Sequence, residues 1–413
     1  MLTRTNTALP AAFKRIGWSN LLAQFAEQIA LAAAPLTAVL LLAAGPAETG
    51  WLQTAQTLPF LLLSIPAGLM ADRASRRALM VGSEAIRAVS LALIFALLML
   101  GGLDMRLLAV LGFVGAIGTV CYSVAAPALV PSLVPRAQLA DANRWLELAR
   151  SSAYTAGPAL GGALVGSTGA PIAYVLATIL SVAAVMLLSG LPREDRVSAQ
   201  KRHVLHDLKE GASFILRHEL MRPILITAIF FNTGWFVLQA IYVAYAVQSL
   251  GMTASTVGVT LGIYGGGMVL GALVAPIVAR KVSFGTLVVL GPISGFIAAV
   301  AMLLTLWLPF AWLAAVSYFL FGVGPILWTI STTTLRQAVT AHAMLGRVSA
   351  FFMTATWGSR PLGAAIGAVV AAHYGVPACL FVATVAFLLQ LIVIVGSAIP
   401  KLQTLPDATA QAG

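Results

Sequence analysis

The stretch PAGLMADRASRRALM, residues 66–80, decides how the rest of the chain is organised. It lies between two long apolar runs, at 51–67 and 78–102, and it holds four charged residues in a short space: Asp72, Arg73, Arg76 and Arg77. A charged side chain inside hydrocarbon costs several kcal/mol, so such a cluster must lie at a membrane surface. The stretch therefore predicts a short polar hinge between two membrane-spanning helices.

The composition of the whole chain also predicts a membrane protein. Its 413 residues are 60% hydrophobic and only 9% charged, and the mean hydropathy is +0.96. A soluble protein of this composition would expose far too much apolar surface to water. Because a spanning helix needs about 20 apolar residues, the chain can hold about twelve of them, joined by short loops.

The apolar runs predict an all-α membrane protein with twelve transmembrane helices. We place these spans near residues 16–43, 50–71, 78–101, 106–130, 145–167, 170–191, 221–248, 254–279, 285–307, 309–334, 347–372 and 374–398. The first run is too long for the core of a signal peptide, and no small-residue cleavage site ends it. We therefore expect an uncleaved first helix.

Lysine and arginine predict the orientation, because they are enriched in cytoplasmic loops. The odd-numbered connections hold only Arg106, whereas the N-terminus, the hinge and the even-numbered connections hold the others outside the spans. We expect both termini in the cytoplasm, in a bacterial inner membrane. The formal charge of +11 is then a topology signal. No basic run is interleaved with aromatic residues, so no nucleic-acid partner is expected.

One long hydrophilic interval, residues 192–222, divides the chain into two halves. It predicts a six-helix bundle at 1–191, a cytoplasmic linker at 192–220, a second six-helix bundle at 221–400 and a disordered tail at 401–413. Apolar residues at helical spacing within 204–220 predict a helix that lies along the membrane surface. The linker also holds His203 and His206, but solvated histidines explain them more simply than a metal pair, so no metal site is expected.

The two halves echo each other in sequence. Matching positions are Arg144 with Arg347, Pro158 with Pro361, and Gly118 with Gly324. In each half the arginine precedes the proline by fourteen residues. A repeat of six helices about a central loop is the architecture of rocking secondary transporters. We therefore expect two pseudo-symmetric six-helix bundles.

The hinge pattern Gly68-x-x-x-Asp72-Arg73-x-x-Arg76-Arg77 resembles the signature loop between helices 2 and 3 of the major facilitator superfamily. A second glycine of the family pattern is Ser75 here. The resemblance implies a cytoplasmic gate at Gly68, Asp72, Arg73, Arg76 and Arg77, in which the aspartate contacts the N-terminus of the eleventh span. The residues alone are equally compatible with a positive loop that only sets topology.

The fifth span contains GPALGG, residues 157–162. By their spacing, Gly157, Gly161 and Gly162 let helices approach closely, and Pro158 predicts a kink. Helix packing alone explains the pattern. Gly-Pro-x-x-Gly-Gly in the fifth span also resembles the antiporter motif of exporting facilitators, which implies efflux.

Two longer segments resemble one branch of the superfamily. PALVPSLVPRAQLADANRWLELARSSAYTAGPALGG at 127–162 and LGRVSAFFMTATWGSRPLGAAIGA at 345–368 are similar to the exporters that include enterobactin exporters and multidrug efflux carriers. The resemblance implies a monomeric secondary transporter that exports small amphipathic molecules, such as drugs or siderophore-like metabolites, by proton antiport and alternating access. An importer, or a dedicated lipid or siderophore carrier on the same fold, stays open.

Proton coupling needs a group that can bind and release a proton. Many proton-driven exporters of the superfamily carry an arginine inside helix 4, but residues 107–128 hold no charge here. Glu27 lies nine residues past Trp18, roughly 13 Å deep along a helix, and shares one face with Asn20, Gln24 and Gln28. A carboxyl buried at this depth can take up and release a proton near neutral pH. Glu27 is thus the proton-coupling candidate, with a structural ion pair as the alternative.

The other expected cavity residues are aromatic, amide or cationic side chains inside spans, which suit bulky, partly apolar molecules. They are Asn232, Trp235, Gln239 and Tyr242 on one face of the seventh span, Trp328 in the tenth, and Trp357 and Arg360 in the eleventh. Arg360 could bind an anionic substrate, hold Glu27 ionised or serve as a structural counter-ion. Helix packing is an equal alternative for each of the others.

The remaining charges and motifs exclude other classes of function. Glu84 with Arg87, and Glu147 with Arg150, are spaced as i, i+3 pairs, which we expect near the cytoplasmic face. No Gly-rich nucleotide loop is present, so ATP is not expected to drive transport. Neither a catalytic triad nor a zinc-ligand spacing occurs, so no enzyme activity and no cofactor are expected.

Overall fold

The structure, a computed structural model, describes residues 10–135, 138–192, 204–341 and 344–406, without the side chains of 69, 71–73, 127–128, 131–132, 140 and 204–205. In this part of the chain the fold is entirely helical. The helices are α1 (Ala11–Leu41), α2 (Pro46–Arg73), α3 (Arg76–Met99), α4 (Met105–Leu133), α5 (Leu139–Thr168), α6 (Ala170–Ser189), α7 (Val204–Arg217), α8 (Met221–Gln248), α9 (Ala254–Ala279), α10 (Phe284–Leu304), α11 (Ala311–Val339) and α12 (Leu345–Val395), followed by a 3₁₀ turn at Ile399–Lys401.

The expected twelve crossings of the membrane are confirmed. Nine of the described helices are long and apolar enough to cross a membrane. Helices α2 and α5, with 28 and 30 residues, have the length to cross but carry more polar side chains. Helix α12 covers the last two predicted spans, because its 51 residues change direction at Gly375. The short α7 is the amphipathic helix predicted after the first six spans.

Polar residues just outside the spans begin several helices. The side chain of Ser75 accepts a hydrogen bond from the backbone N–H of Ala78 and so caps α3 within the hinge. Asp104 caps α4 in the same way, at 2.7 Å from the N–H of Leu107. Such caps satisfy N–H groups that have no partner inside the helix. The short hinge that joins α2 and α3 therefore supplies the N-cap of α3 as well as charged residues.

Corresponding turns in the two halves share one backbone conformation. Gly169, between α5 and α6, has φ 90°, and Gly375, inside α12, has φ 76°. A positive φ favours glycine, and in each case a proline follows two residues later, at Pro171 and Pro377. This pair of glycines adds to the repeat that the sequence predicts.

The bundle has two distinct ends. We call the end with the 74–75 hinge and α7 the hinge end, and the end with the loops at 42–45, 100–104 and 249–253 the turn end. At the hinge end the guanidinium groups of Arg15 and Arg77 donate to the backbone carbonyls of Gly190 and Ser189, where α6 ends. Cations at a helix C-terminus stabilise its free carbonyl groups.

The two halves contact each other mainly through three pairs of helices. Helix α5 packs along α9, and α2 packs against α8 and α12. Near the turn end, a Cβ atom added to Gly162 would lie 2.6 Å from the Cα of Gly258. The side-chain amide of Gln248 also donates to the carbonyl of Ala44, at 3.0 Å. Glycine allows the backbones to meet this closely, so the halves are tightly joined at the turn end.

Helix α7 is attached to the start of α12. Arg347 forms ion pairs with Asp207, at 2.9 Å, and with Glu210, at 2.5 Å. Gly211 lies directly against the backbone of Arg347. The linker helix therefore packs on the second half of the chain. His206, Asp207 and Glu210 also lie close enough together to share a metal ion, but Arg347 already engages both carboxylates, and His203 lies outside the described residues.

Candidate functional site

A cavity of about 600 Å³ lies between the two halves of the bundle. Every membrane-crossing helix contributes side chains to its wall. Sites for drug-sized ligands commonly have volumes of about 300–1,000 Å³. The cavity therefore has room for one small molecule that both halves of the chain contact.

Most of the residues that the sequence places at a cavity line this one: Glu27, Gln28, Asn232, Trp235, Gln239, Trp328, Trp357 and Arg360. Asn20, Gln24 and Tyr242 are not among the lining residues. Asn20 and Tyr242 are buried within the bundle, and the Tyr242 hydroxyl forms a hydrogen bond with that of Thr260, at 2.5 Å. Helical spacing places a residue on a face, but the neighbouring helix decides whether that part of the face is covered.

Glu27 belongs to a network of three charged side chains. The Nη1 atom of Arg87 lies 3.3 Å from an oxygen of Glu27 and donates to the carbonyl of Ala23, at 3.0 Å. The Nη2 atom of Arg87 lies 2.8 Å from Glu84. Ser181 donates to the other oxygen of Glu84, at 2.6 Å. The network joins α1, α3 and α6, and it balances the charge of Arg87 inside the bundle.

The two carboxylates of this network differ in exposure. The side chain of Glu84 is fully buried, whereas that of Glu27 is 19% exposed and lines the cavity. The Glu84–Arg87 pair was expected near the cytoplasmic face. The pair is present, but it is buried inside the bundle, because the Arg87 side chain points toward α1 and the carboxylate of Glu27. Glu27 is thus the carboxylate of the network that solvent or substrate in the cavity can reach.

Arg360 lies on the opposite half from Glu27. Its guanidinium carbon is 5.4–5.7 Å from the centres of three aromatic rings, those of Phe60, Trp357 and Phe236. The rings come from α2, α12 and α8. Cations over aromatic faces gain electrostatic stabilisation from the ring quadrupoles. The sequence indicated the cation, but none of its spacings indicated this set of rings.

The second half supplies an aromatic wall. The ring of Trp235 stacks on Tyr264 with centroids 5.1 Å apart, and its edge contacts Tyr318 and Phe321. The Tyr318 hydroxyl donates to the side-chain carbonyl of Gln239, at 2.8 Å. These contacts fix the orientation of two of the predicted cavity residues, Trp235 and Gln239.

Several lining residues are missing from the sequence-based set: Gln53, Gln56, Phe60, Arg87, Arg150, Tyr154, Tyr264, Tyr318 and Arg336. Gln53 and Gln56 carry a usable signal, because two amides at i, i+3 in a predicted span share one face. Arg150 was expected near the cytoplasmic face as a partner of Glu147. The pair is present, at 2.7 Å, but Arg150 also lines the cavity. The aromatic residues carry no such signal, since apolar rings suit lipid and protein contacts alike.

Three of the hinge residues, Gly68, Arg76 and Arg77, are not among the residues that line the cavity. Gly68 is half-buried near the end of α2, and no other described part of the chain comes within 4 Å of where its Cβ would be. Arg76 and Arg77 begin α3, and Arg77 donates to the carbonyls that end α6. The side chains of Asp72 and Arg73, the other members of the expected gate, lie outside the described residues.

The glycine motif of α5 packs against two helices. A Cβ atom at Gly157 would lie 2.5 Å from the Cβ of Gln28, and one at Gly161 would lie 2.9 Å from the carbonyl of Ile29, both in α1. Gly162 faces α9 instead. Pro158 lines the cavity between these two contacts. The motif thus provides close packing at a helix that joins the two halves.

The chain matches one protein family over nearly its whole length. Residues 10–412 match a family described as transmembrane secretion effector. A similar relative is an MFS-type transporter, y4rN, of Sinorhizobium fredii, 27% identical over 88% of both chains. Macrolide efflux protein A of Enterococcus faecalis is 22% identical over 52% of this chain and 68% of its own. The enterobactin exporter of Citrobacter koseri is 26% identical over 62% of this chain and 59% of its own.

Solved structures confirm the fold. The nucleoside transporter NupG superposes with a TM-score of 0.75 at 12% identity, over 93% of this chain and 98% of that one. A D-xylose–proton symporter superposes with a TM-score of 0.70 at 13% identity, over 96% and 98%. Identities this low establish the architecture alone. The family match covers almost every residue, and the fold consists of two six-helix bundles with a cavity between them. Together these observations identify a multi-pass membrane transporter, not an enzyme. The chain belongs to the transmembrane secretion effector family of the major facilitator superfamily.

Proposed function

We propose that this transporter exports small amphipathic molecules from the bacterial cytoplasm in exchange for protons. One observation carries the proposal: Glu27, held by Arg87 at 3.3 Å, has a partly exposed side chain that lines the cavity between the halves. A carboxyl group at the boundary between a buried ion pair and an open cavity can gain a proton when the cavity faces one side and lose it when it faces the other.

The composition of the cavity wall supports the cargo class. Aromatic rings and amide groups around about 600 Å³ favour a molecule with an apolar body and a few polar groups. Two relatives are named for the export of a macrolide and of enterobactin. They support both the direction and the size of the cargo.

The packing of the halves supports alternating access. The close contact of α5 with α9 near the turn end would have to open for cargo to leave on that side. We propose that the chain works as a monomer and that the hinge end faces the cytoplasm. Among the described residues, the lysines and arginines outside the crossing segments cluster at the hinge end, while the turn end holds Arg106.

Transport by purified protein in proteoliposomes tests the role of Glu27. With labelled enterobactin as cargo, a pH gradient should drive accumulation by the wild type. Glu27→Gln should abolish uphill accumulation but preserve exchange of cargo between the two sides, because the amide binds no proton. Glu27→Asp should retain part of the activity, since its carboxyl is only one methylene shorter.

The matched control is Glu219→Gln, which makes the same change at an exposed position next to α7. It should transport as the wild type does. Gradient-driven accumulation by Glu27→Gln would disprove proton coupling through this residue. Accumulation driven in the direction of proton entry would instead make the protein an importer on the same fold.

A further inference from the structure

A guanidinium group without an acidic partner faces the cavity at Arg360. Its Nε atom is buried and forms no hydrogen bond with any described residue. Phe60 belongs to the first half of the chain, whereas Phe236 and Trp357 belong to the second, so both halves surround this cation. The site is thus assembled only when the two bundles meet.

Only two of the four arginines that line the cavity among the described residues form ion pairs with carboxylates. Arg87 is paired with Glu27 and Glu84, and Arg150 is paired with Glu147. The other two lining arginines, Arg336 and Arg360, form no ion pair within the part of the chain that the structure describes. The Arg336 guanidinium lies 4.8 Å from the centre of the Phe352 ring and also has a buried Nε atom without a hydrogen bond. Neither cation on the second half therefore has a described carboxylate within ion-pairing distance, although Glu27 on the other wall is near enough to interact electrostatically with Arg360.

Aromatic contacts leave the hydrogen-bonding capacity of a guanidinium group unused. Rings stabilise its charge through their faces, but they do not accept the strong hydrogen bonds that its N–H groups can donate in the plane. A carboxylate or another planar oxyanion matches that edge with two parallel hydrogen bonds. A ligand with such a group and an aromatic body would satisfy the N–H groups and pack against the neighbouring rings.

We propose that the cavity selects amphipathic anions and that Arg360 binds their anionic group, with Arg336 adding positive potential on the same half. The proposal rests on the cavity being the transport site, and it assigns the class of cargo. Glu27 lies on the other half and is already paired with Arg87. The groups that handle proton and anion are therefore separate side chains on opposite walls.

Equilibrium binding of three compounds with the same ring system tests the proposal. The probes are 2-naphthoate, 2-naphthamide and 2-naphthylmethylammonium, and the readout is calorimetry with the full-length protein in lipid nanodiscs. Because a hydrogen-bonded ion pair is stronger than a neutral hydrogen bond, wild-type protein should bind naphthoate about tenfold more tightly than naphthamide. The ammonium compound should bind most weakly, since its charge is repelled by the guanidinium groups of Arg336 and Arg360.

Variants at Arg360 assign the preference to this side chain. Arg360→Gln should weaken naphthoate binding about tenfold, to the level of naphthamide, and leave naphthamide binding unchanged. Arg360→Lys should keep part of the preference, because an ammonium group retains the charge without the planar fork. Arg106→Gln removes an exposed arginine at the turn end, outside the cavity wall, and should bind all three probes as the wild type does.

Equal binding of the three probes by the wild type would overturn the proposal, and so would an unchanged preference in Arg360→Gln. These outcomes are independent of proton coupling, because the binding equilibrium is measured without a pH gradient. If no tested compound is transported in response to a pH gradient but the preference for naphthoate remains, the proton-antiport proposal is disproved. The proposal of an anion site is then unaffected.

Discussion

At the scale of single residues, two glutamates that share one arginine have different environments. Glu84 is enclosed by Arg87 and Ser181 and has no exposed surface, whereas Glu27 borders the cavity. Removing one partner of a fully buried ion pair leaves an uncompensated charge. A partly exposed carboxylate can be neutralised at much lower cost. We therefore expect Glu84 to contribute mainly to stability and Glu27 to be the carboxylate that changes its charge.

Thermal unfolding of matched variants separates these roles. Glu84→Gln should lower the Tm of the purified protein by several degrees, since breaking a buried pair costs on the order of 3–5 kcal/mol. Glu27→Gln should shift the Tm much less, because Arg87 keeps Glu84 at 2.8 Å. Scanning fluorimetry in one detergent measures both variants. A larger shift for Glu27→Gln would contradict this division of roles.

At the scale of helices, α5 makes close glycine contacts on two sides. Gly157 and Gly161 lie against α1, and Gly162 and Gly166 lie against α9. The first contact is within one half, and the second joins the two halves. A rocking motion can preserve the first contact, but it must break the second at the turn end. Under the proposed alternating access, we expect α5 to keep its contact with α1 and to separate from α9.

A reversible crosslink across the separable face tests this motion. A Cβ atom at Gly166 would lie 2.6 Å from the Oγ atom of Ser255, so cysteines at these positions are close enough for a disulfide bond. In a background with Cys121→Ala and Cys379→Ala, oxidation of Gly166→Cys/Ser255→Cys should stop transport, and reduction should restore it. The single variants Gly166→Cys and Ser255→Cys should not respond to oxidation. Full transport by the crosslinked protein would show that this contact does not open.

At the scale of the whole molecule, charge distribution predicts how the protein lies in the membrane. The hinge end carries the cationic starts of α1 and α3 and the whole of α7, and the turn end is nearly free of lysine and arginine in the described residues. Because positive loops are retained in the cytoplasm, we expect the turn end to face outward.

Labelling of single cysteines checks this orientation. In the background without native cysteines, Gly102→Cys places a thiol at the turn end and Thr404→Cys places one at the hinge end. A membrane-impermeant maleimide applied to spheroplasts should label Gly102→Cys at once and Thr404→Cys only after lysis. Labelling in the reverse order would contradict the proposed orientation.

The sequence by itself determined the number of crossings, the hinge and the two-fold repeat. Each of these depends on local composition: an apolar run long enough to span a bilayer is a helix wherever it packs, and a cluster such as 72–77 must lie at a surface. Spacing also identified Glu27 and Arg360 as charges deep within spans, because a helix advances by a constant rise per residue.

Only the tertiary structure decided which partners these charges have. Arg87 lies 60 positions from Glu27 along the chain, and Phe60 lies still farther from Arg360. Most of these helices are apolar on nearly every side, so their sequences do not indicate which face meets which neighbour. The same reason explains why Tyr242 packs against Thr260 while Trp235, on the same helix, reaches the cavity. The packing of the helices thus selected, from many polar residues, the few that face the cavity together.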